Sequence, residues 1–273
     1  MSPAFVNNFT PPPATVYPDP DSVLASKEPY DINFSFPLHF DTLACPTVRL
    51  TPFVPTLHAR TLWEHVGPRA RELFRYYPYC PDTLAHFLSV VENIRRHPDN
   101  CAFAIFDRTR RPDGPGGDSP ADSEDGTLAG VMALINTSKQ HKNTEIGLVV
   151  VFPAFQGTHV ARTALGLLLR YCLQPAAASP PGLGFRRVRW SAHPHNKASI
   201  KLAKRMCFQE EGVMRWTFCI PNVEEMKREA HGVKREGEDG WGRDSVCLAI
   251  CWDEWDRSAG YGVERLLQQP SGQ

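Results

Sequence analysis

Residues Glu145 to Ala164 place an apolar strand, a short turn and a helix start in an order that can bind phosphate. Ile146 to Phe152 reads as the strand, Pro153 to Thr158 as the turn, and the helix begins near His159. A helix start presents unpaired backbone N–H groups and the positive end of its dipole, which together attract a pyrophosphate without needing a lysine. Gly157 allows the backbone to approach a bulky anion closely. No Asp or Glu follows in the first helical turn, although acids are favoured there, as expected of a place kept for a ligand anion. Taken alone, the segment fits an ordinary strand–loop–helix connection equally well. The chain carries no G-x-S-x-G, H-E-x-x-H or Walker pattern, and the turn supplies no G-x-G-x-x-G.

The elements that must position this turn follow from pattern. Residues 1–46 are rich in proline and lack periodicity, so they read as an extended or disordered arm, laid on the domain through Phe34, Phe36 and Phe40. VRLTPFV from Val48 is a first strand whose Pro52 suits a sheet edge. Residues 56–66 and 69–76 are helical pieces, and Asp82 to His97 is a stronger helix that Asp82 can cap. Strands are expected at 101–107, 127–136, 186–192, within 208–220, and at 245–253, with helices at 158–173 and 196–206. The helix at 158–173 is apolar almost all round, with only Arg162 and Arg170 charged, and must be largely buried. Mobile inserts are expected near 108–126, 174–184 and 221–243, and a tail over 257–273. The domain body then spans 47–256. Strands and helices alternate through 145–207, which argues an α/β or α+β body with adjacent parallel strands there.

Bulk composition narrows the class. The 273 residues are 42% hydrophobic and 22% charged, with 30 basic against 30 acidic side chains. This neutral balance gives no electrostatic pull toward nucleic acid or an anionic membrane. No apolar run approaches the roughly 18 residues of a membrane span. The eight cysteines form no C-x-x-C and sit in apolar runs, as free thiols in a reducing compartment do. A cytoplasmic protein is expected, monomeric or homodimeric.

Three segments resemble the GNAT superfamily of acyl-CoA-dependent N-acetyltransferases. Val151-Phe152-Pro153-Ala154-Phe155-Gln156-Gly157-Thr158-His159-Val160-Ala161 is similar to the family's V-x-P-x-(Y/F)-(R/Q)-G-x-G-x-(G/A) run, which cradles the coenzyme A pyrophosphate. Asn196-Lys197-Ala198-Ser199, with Cys207-Phe208-Gln209-Glu210-Glu211-Gly212, resembles N-x-x-S and G-F-x-x-E-G of the RimJ/RimL-like branch that acetylates ribosomal-protein N-termini. Ala249 to Trp255 is similar to that branch's last strand and its terminal E-W. The resemblance implies an α/β (α+β) GNAT fold. Its mixed, largely antiparallel central sheet has splayed parallel central strands and is flanked by helices. There are departures. His159 stands where a second turn glycine is usual, Cys207 replaces a glycine and reads as a packed small hydrophobe, and Ala203 stands where many members place a tyrosine acid.

The resemblance further implies acetyl-CoA as cosubstrate and a primary amine as acceptor, either a small molecule or a peptide N-terminus. The amine attacks the thioester directly, with no metal. It must be neutral, although its ordinary pKa is about 8 for an α-amine and above roughly 10 for lysine. The oxyanion donors match the backbone of Val149, Val150 and Val151, and the coenzyme turn matches Gln156, Gly157, Thr158, His159, Val160 and Ala161. Glu145 is the first candidate base, acting through a water, against an equal case for a plain strand-end carboxylate. His193 and His195 would face one side of an extended chain; ordinary loop histidines account for them better, and a metal site lacks a third ligand. Ser199 matches the residue that related N-terminal acetyltransferases place near the sulfur, and its bland role is a first-turn helix hydroxyl. Asn196 caps that helix and can also bond the pantetheine arm. Lys197, Lys201, Lys204 and Arg205 form a solvated face or meet the 3′-phosphate. The departures at Ala203 and His159 also suit a catalytically silent member that binds acyl-CoA or a protein partner. Residues 56–80, 137–144 and 221–243 are expected to choose the acceptor.

Overall fold

A computed structural model describes residues 6–10, 18–110, 126–220, 237 and 240–269. Seven strands form one sheet in the order β1-β2-β3-β4-β5-β7-β6. They are β1 (Val48–Pro52), β2 (Cys101–Asp107), β3 (Thr127–Ser138), β4 (Asn143–Val151), β5 (Arg187–Ala192), β6 (Gln209–Ile220) and β7 (Trp241–Cys251). Every neighbouring pair is antiparallel except β4–β5. The helices are α1 (Pro20–Leu24), α2 (Pro55–Val66), α3 (Ala70–Leu73), α4 (Leu84–Arg95), α5 (Val160–Leu173), α6 (Lys197–Arg205), α7 (Trp252–Glu254) and α8 (Gly260–Leu267). This is the mixed, mostly antiparallel sheet flanked by helices that the sequence leads one to expect.

β2 is buried along its whole length because helices cover both faces. Phe103 meets Tyr171 of α5 on one face, and Phe106 meets His58 of α2 on the other. That double cover explains why CAFAIFD reads as a continuous apolar run rather than an alternating one. β1 takes the sheet edge, where Pro52 costs no ladder bond.

Several expectations change. Thr83, not Asp82, caps α4, its hydroxyl accepting from the His86 amide at 3.1 Å. The arm is anchored over its described second half. Phe36 and Leu43 are buried, Tyr171 donates to the Pro37 carbonyl at 2.7 Å, and Arg170 donates to the carbonyls of Thr42 and Ala44 at 2.7 and 2.9 Å. Phe40 stays exposed. Arg170, the cation on an otherwise apolar helix, thus satisfies its burial by gathering carbonyls from the arm and pairing with Glu264 at 3.5 Å. Residues 174–184 are irregular but tied down, with the Leu183 amide on the Tyr171 carbonyl and the Gln174 side chain on the Pro180 carbonyl, both 2.7 Å. The 257–273 tail contains α8, whose Val263 and Leu267 bury against α5 at Gly166. The 108–126 insert lies almost wholly outside the described residues, as do 221–236.

His58 sits in the core between Phe53 and Phe106 and accepts the Val54 amide at Nδ1, 2.9 Å. Burial pushes its pKa down to about 4 from 6.5. The unfolded chain therefore binds this proton first, so stability is full above pH 6.5 and falls as pH drops toward 4. The loss amounts to roughly 3 kcal/mol. Denaturant melts across pH 4 to 7 should show it in the wild type, and His58→Leu should flatten the slope. An unchanged slope in the variant would assign the acid sensitivity to other groups.

Candidate active site at the splay of β4 and β5

The parallel strands β4 and β5 pair over only four positions, from Asn143–Arg187 to Ile146–Trp190. Beyond Ile146 they part. On its other edge β4 stays paired with β3 as far as Val151, through a bulge that opposes Gly147 to Ala133 and Val150 to Val131. Leu148 lies in that bulge with φ +47°. This left-handed conformation is costly for a branched residue, and the surrounding ladder must hold it.

Strand alternation assigns the backbone groups of this segment. The Phe152 amide donates to the Ala129 carbonyl of β3 at 2.8 Å, so Val150, two residues back, also turns toward β3. Val149 and Val151 turn the other way, into the gap that β5 has left. Their carbonyls are taken by side chains: Tyr77 donates its hydroxyl to the Val149 carbonyl at 2.8 Å, and Gln156 donates Nε2 to the Val151 carbonyl at 3.0 Å. Of the three expected oxyanion donors, Val150 is thereby committed to the sheet, and the amides of Val149 and Val151 face the gap. Burial pushes the Tyr77 phenol well above its ordinary range, so it stays a protonated donor.

The turn continues the same edge. Gly157 has φ +75°, and a Cβ added there would meet nothing within 4 Å, so the turn is open on that side. Thr158 folds its hydroxyl inward, donating to the Phe155 carbonyl at 2.6 Å and accepting from the Val160 amide at 3.3 Å. The amides of Gly157, His159, Ala161 and Arg162 have no hydrogen-bond partner among the described residues. Four unpaired donors around an open glycine suit a pyrophosphate. The His159 imidazole is turned aside: its Nε2 lies 3.5 Å from Oδ1 of Asp107, a fully buried carboxylate at the end of β2. The extra side chain at the glycine position therefore points toward β2 instead of filling the turn.

Across the gap, α6 presents the second half of the site. Asn196 Oδ1 accepts the Ser199 amide at 3.1 Å, the expected cap. Ser199 Oγ accepts from Trp190 Nε1 at 2.9 Å. Trp190 is the last β5 residue paired with β4, so this bond sets the hydroxyl at the mouth of the splay, with its own proton left to donate elsewhere. Ala203, on α6 itself, is fully buried. Cys207 is exposed and has φ +66°. The family glycine there serves a left-handed turn, and Cys207 adopts that strained conformation rather than packing as expected.

Glu145 lies on the paired part of β4, mostly shielded, 3.6 Å from Arg189 of β5. It is a partnered carboxylate beside the splay rather than a free strand end. The chain turns after β5 rather than staying extended, yet the His193 and His195 rings come within 5.1 Å, and the His195 amide donates to His193 Nδ1 at 3.0 Å. His193 is buried and its ring lies 5.4 Å from Tyr76. Sequence reasoning missed two residues that shape this face. One is Tyr77. The other is Arg243, which is buried, donates to the Tyr76 carbonyl at 3.0 Å and lies under the Phe218 ring at 5.0 Å. Their partners are 72 and 167 residues away, so no local pattern marks them. Among the described residues no cluster of His, Cys, Asp or Glu could hold a metal.

The acetyltransferase (GNAT) domain model matches residues 47–209. The chain belongs to the GNAT acetyltransferases. It is an N-acetyltransferase. A GCN5-related N-acetyltransferase from Brucella melitensis superposes with TM-score 0.62 at 22% identity, covering 85% of this chain and 89% of the other. RimJ of Mycobacterium smegmatis, solved with CoA-disulfide, gives 0.55 at 19% over 80% and 88%. Spermidine N-acetyltransferase from Vibrio cholerae, solved with CoA and spermine, gives 0.52 at 15% over 77% and 99%. No curated protein matches in sequence.

Tyr77→Phe removes the hydrogen bond that holds the Val149 peptide. The GNAT reaction should slow about tenfold through misplaced donors, with only about 1 kcal/mol lost from folding stability. Steady-state turnover beside a denaturant melt checks this; unchanged turnover would show that the bulge holds itself.

Proposed function

We propose that this enzyme transfers the acetyl group of acetyl-CoA to a primary amine by direct attack. The observation that carries the reading is the set of turn amides, Gly157, His159, Ala161 and Arg162, without a partner among the described residues, beside the parting of β4 from β5 after Ile146–Trp190. Acetyl-CoA fits this arrangement. The amides of Gly157, His159, Ala161 and Arg162 would hold the pyrophosphate, and Asn196 the pantetheine arm. Val149 and Val151 would donate to the oxyanion, and such a donor is worth about 3 kcal/mol in a dry site.

The neutral amine attacks the thioester carbonyl carbon and forms the C–N bond. The tetrahedral intermediate collapses with C–S cleavage, and coenzyme A leaves as the thiolate. The proton lost from nitrogen goes through a water to Glu145, whose charge Arg189 balances. Ser199, its lone pair already taken by Trp190, donates its hydroxyl hydrogen toward the departing sulfur. Thiolate is a good leaving group, so Ala203 in place of tyrosine leaves the reaction intact. The acceptor is a small-molecule amine or a peptide N-terminus, entering over the face shaped by Tyr76, Tyr77 and Arg243.

A thiol-release assay with acetyl-CoA against peptides, polyamines and aminoglycoside-like amines tests the reading. At least one should turn over, at a rate rising with pH toward the amine's own pKa. Glu145→Gln should lower kcat about hundredfold with little change in coenzyme affinity. Absence of acetyl-CoA binding at millimolar concentration by calorimetry would overturn it.

A further inference from the structure

Arg243 stands near the start of β7 and is only 5% exposed. Its hydrogen bonds go to neutral groups: Nη1 donates to the Ser245 hydroxyl, and Nη2 to the Tyr76 carbonyl at 3.0 Å. The Phe218 ring covers the guanidinium at 5.0 Å, and Nε is buried with no hydrogen-bond partner among the described residues. Burial lowers its pKa from the ordinary arginine range, the mark of a charge held at a cost. Stability alone gives no reason for a cation here, so the question is what it holds.

The carbonyl it holds belongs to the peptide that joins Tyr76 to Tyr77. The other side of the same peptide, the Tyr77 amide, donates to the Phe74 carbonyl at 2.8 Å. With both polar atoms bonded, the plane of this peptide is fixed, and that plane sets the direction in which the Tyr77 side chain leaves the backbone. The Tyr77 hydroxyl then reaches the Val149 carbonyl of β4. The Tyr76 ring lies 5.4 Å from His193, just past β5. The Tyr76–Tyr77 segment is therefore a strap across the splay. It is fastened to β4 by Tyr77 and to β7 by Arg243, and β5 lies between those two strands in the sheet.

We propose that Arg243 is a positioning residue for acyl transfer: it fixes the Tyr76–Tyr77 peptide, and through the Tyr77 hydroxyl it holds the Val149 edge of the splay. The role needs no contact with coenzyme or acceptor. It rests on the reading of Val149 as an oxyanion donor. The chemistry of the side chain suits the task. A guanidinium is a planar fork whose donors keep a fixed geometry, so one group can bond Ser245 and Tyr76 together; an ammonium on a flexible stem acts as a point charge. Ser245 is fully buried and gives the fork its second foot.

A double-mutant cycle in the full chain tests this, read by thiol release from acetyl-CoA with an amine of the panel above that turns over. Arg243→Met should lower kcat about tenfold, as Tyr77→Phe does, with the KM for acetyl-CoA within about twofold. The double variant should be no slower than Arg243→Met alone, because both substitutions cut one chain of contacts. Arg243→Lys should fall between the wild type and Arg243→Met. Losses that multiply to about a hundredfold, or an Arg243→Met enzyme as fast as the wild type, would overturn the proposal. If Arg243→Met does not fold, Arg243→Lys takes its place in the cycle. The Val149 amide resonance of the free protein gives a second readout. Tyr77→Phe and Arg243→Lys should displace it in the same direction, and a resonance unmoved in Arg243→Lys would also overturn the proposal. If no amine turns over, the acyl-transfer reading fails, and this resonance still decides whether Arg243 acts on Val149.

Discussion

Two parallel strands that part while still inside the protein leave backbone groups that must find other partners. A buried amide or carbonyl without one costs about as much as a lost hydrogen bond, so a gap in the middle of a sheet persists only if it is capped or filled. Here the carbonyls of Val149 and Val151 are capped by Tyr77 and Gln156, and strand alternation turns the two amides into the same gap. The gap is therefore one-sided in its chemistry: acceptors are satisfied and donors remain. An edge of donors suits an electron-rich ligand, as the proposed thioester oxygen and phosphates would be.

The rest of the fold keeps that gap open. β3 pairs with β4 on the far edge and holds the Leu148 bulge in its left-handed conformation. β7 pairs with every residue of β5, from Arg187–Cys251 to Ala192–Val246, and holds it on the far side of the gap. α5 is buried from Thr163 to Leu173 and anchored at its far end by Arg170, which bonds carbonyls of the N-terminal arm. His159 at the other end of the helix lies 3.5 Å from Asp107 of β2. With α5 packed in this way, the turn that opens it would be set in advance of binding the proposed ligand.

How much of this was readable in sequence depended on distance along the chain. The turn at 153–161 and the Asn196 cap are local, and residue type plus spacing identified both. The apolar run of α5 announced its burial, and each of the seven strands was placed within a few residues. Whatever needed a distant partner was hidden. Nothing near Tyr77 signals Val149, and nothing near Arg243 signals Tyr76. His159 seemed an intruder in a glycine position until Asp107, on another strand, accounted for where it points. Cys207 was misjudged because residue type was weighed and backbone conformation was not: its chemistry suggests a packed hydrophobe, while its position demands a positive φ. The tail helix α8 was missed because its few apolar residues bury against Gly166, a contact that only the folded chain brings about.

The most direct test of the donor edge is an amide-resolved NMR titration of the full chain with coenzyme A. The account predicts that the largest shifts fall on the amides of Val149, Val151, Gly157, His159 and Ala161, while Val150, committed to β3, moves little. Shifts spread over other surfaces, with these amides unchanged, would contradict it.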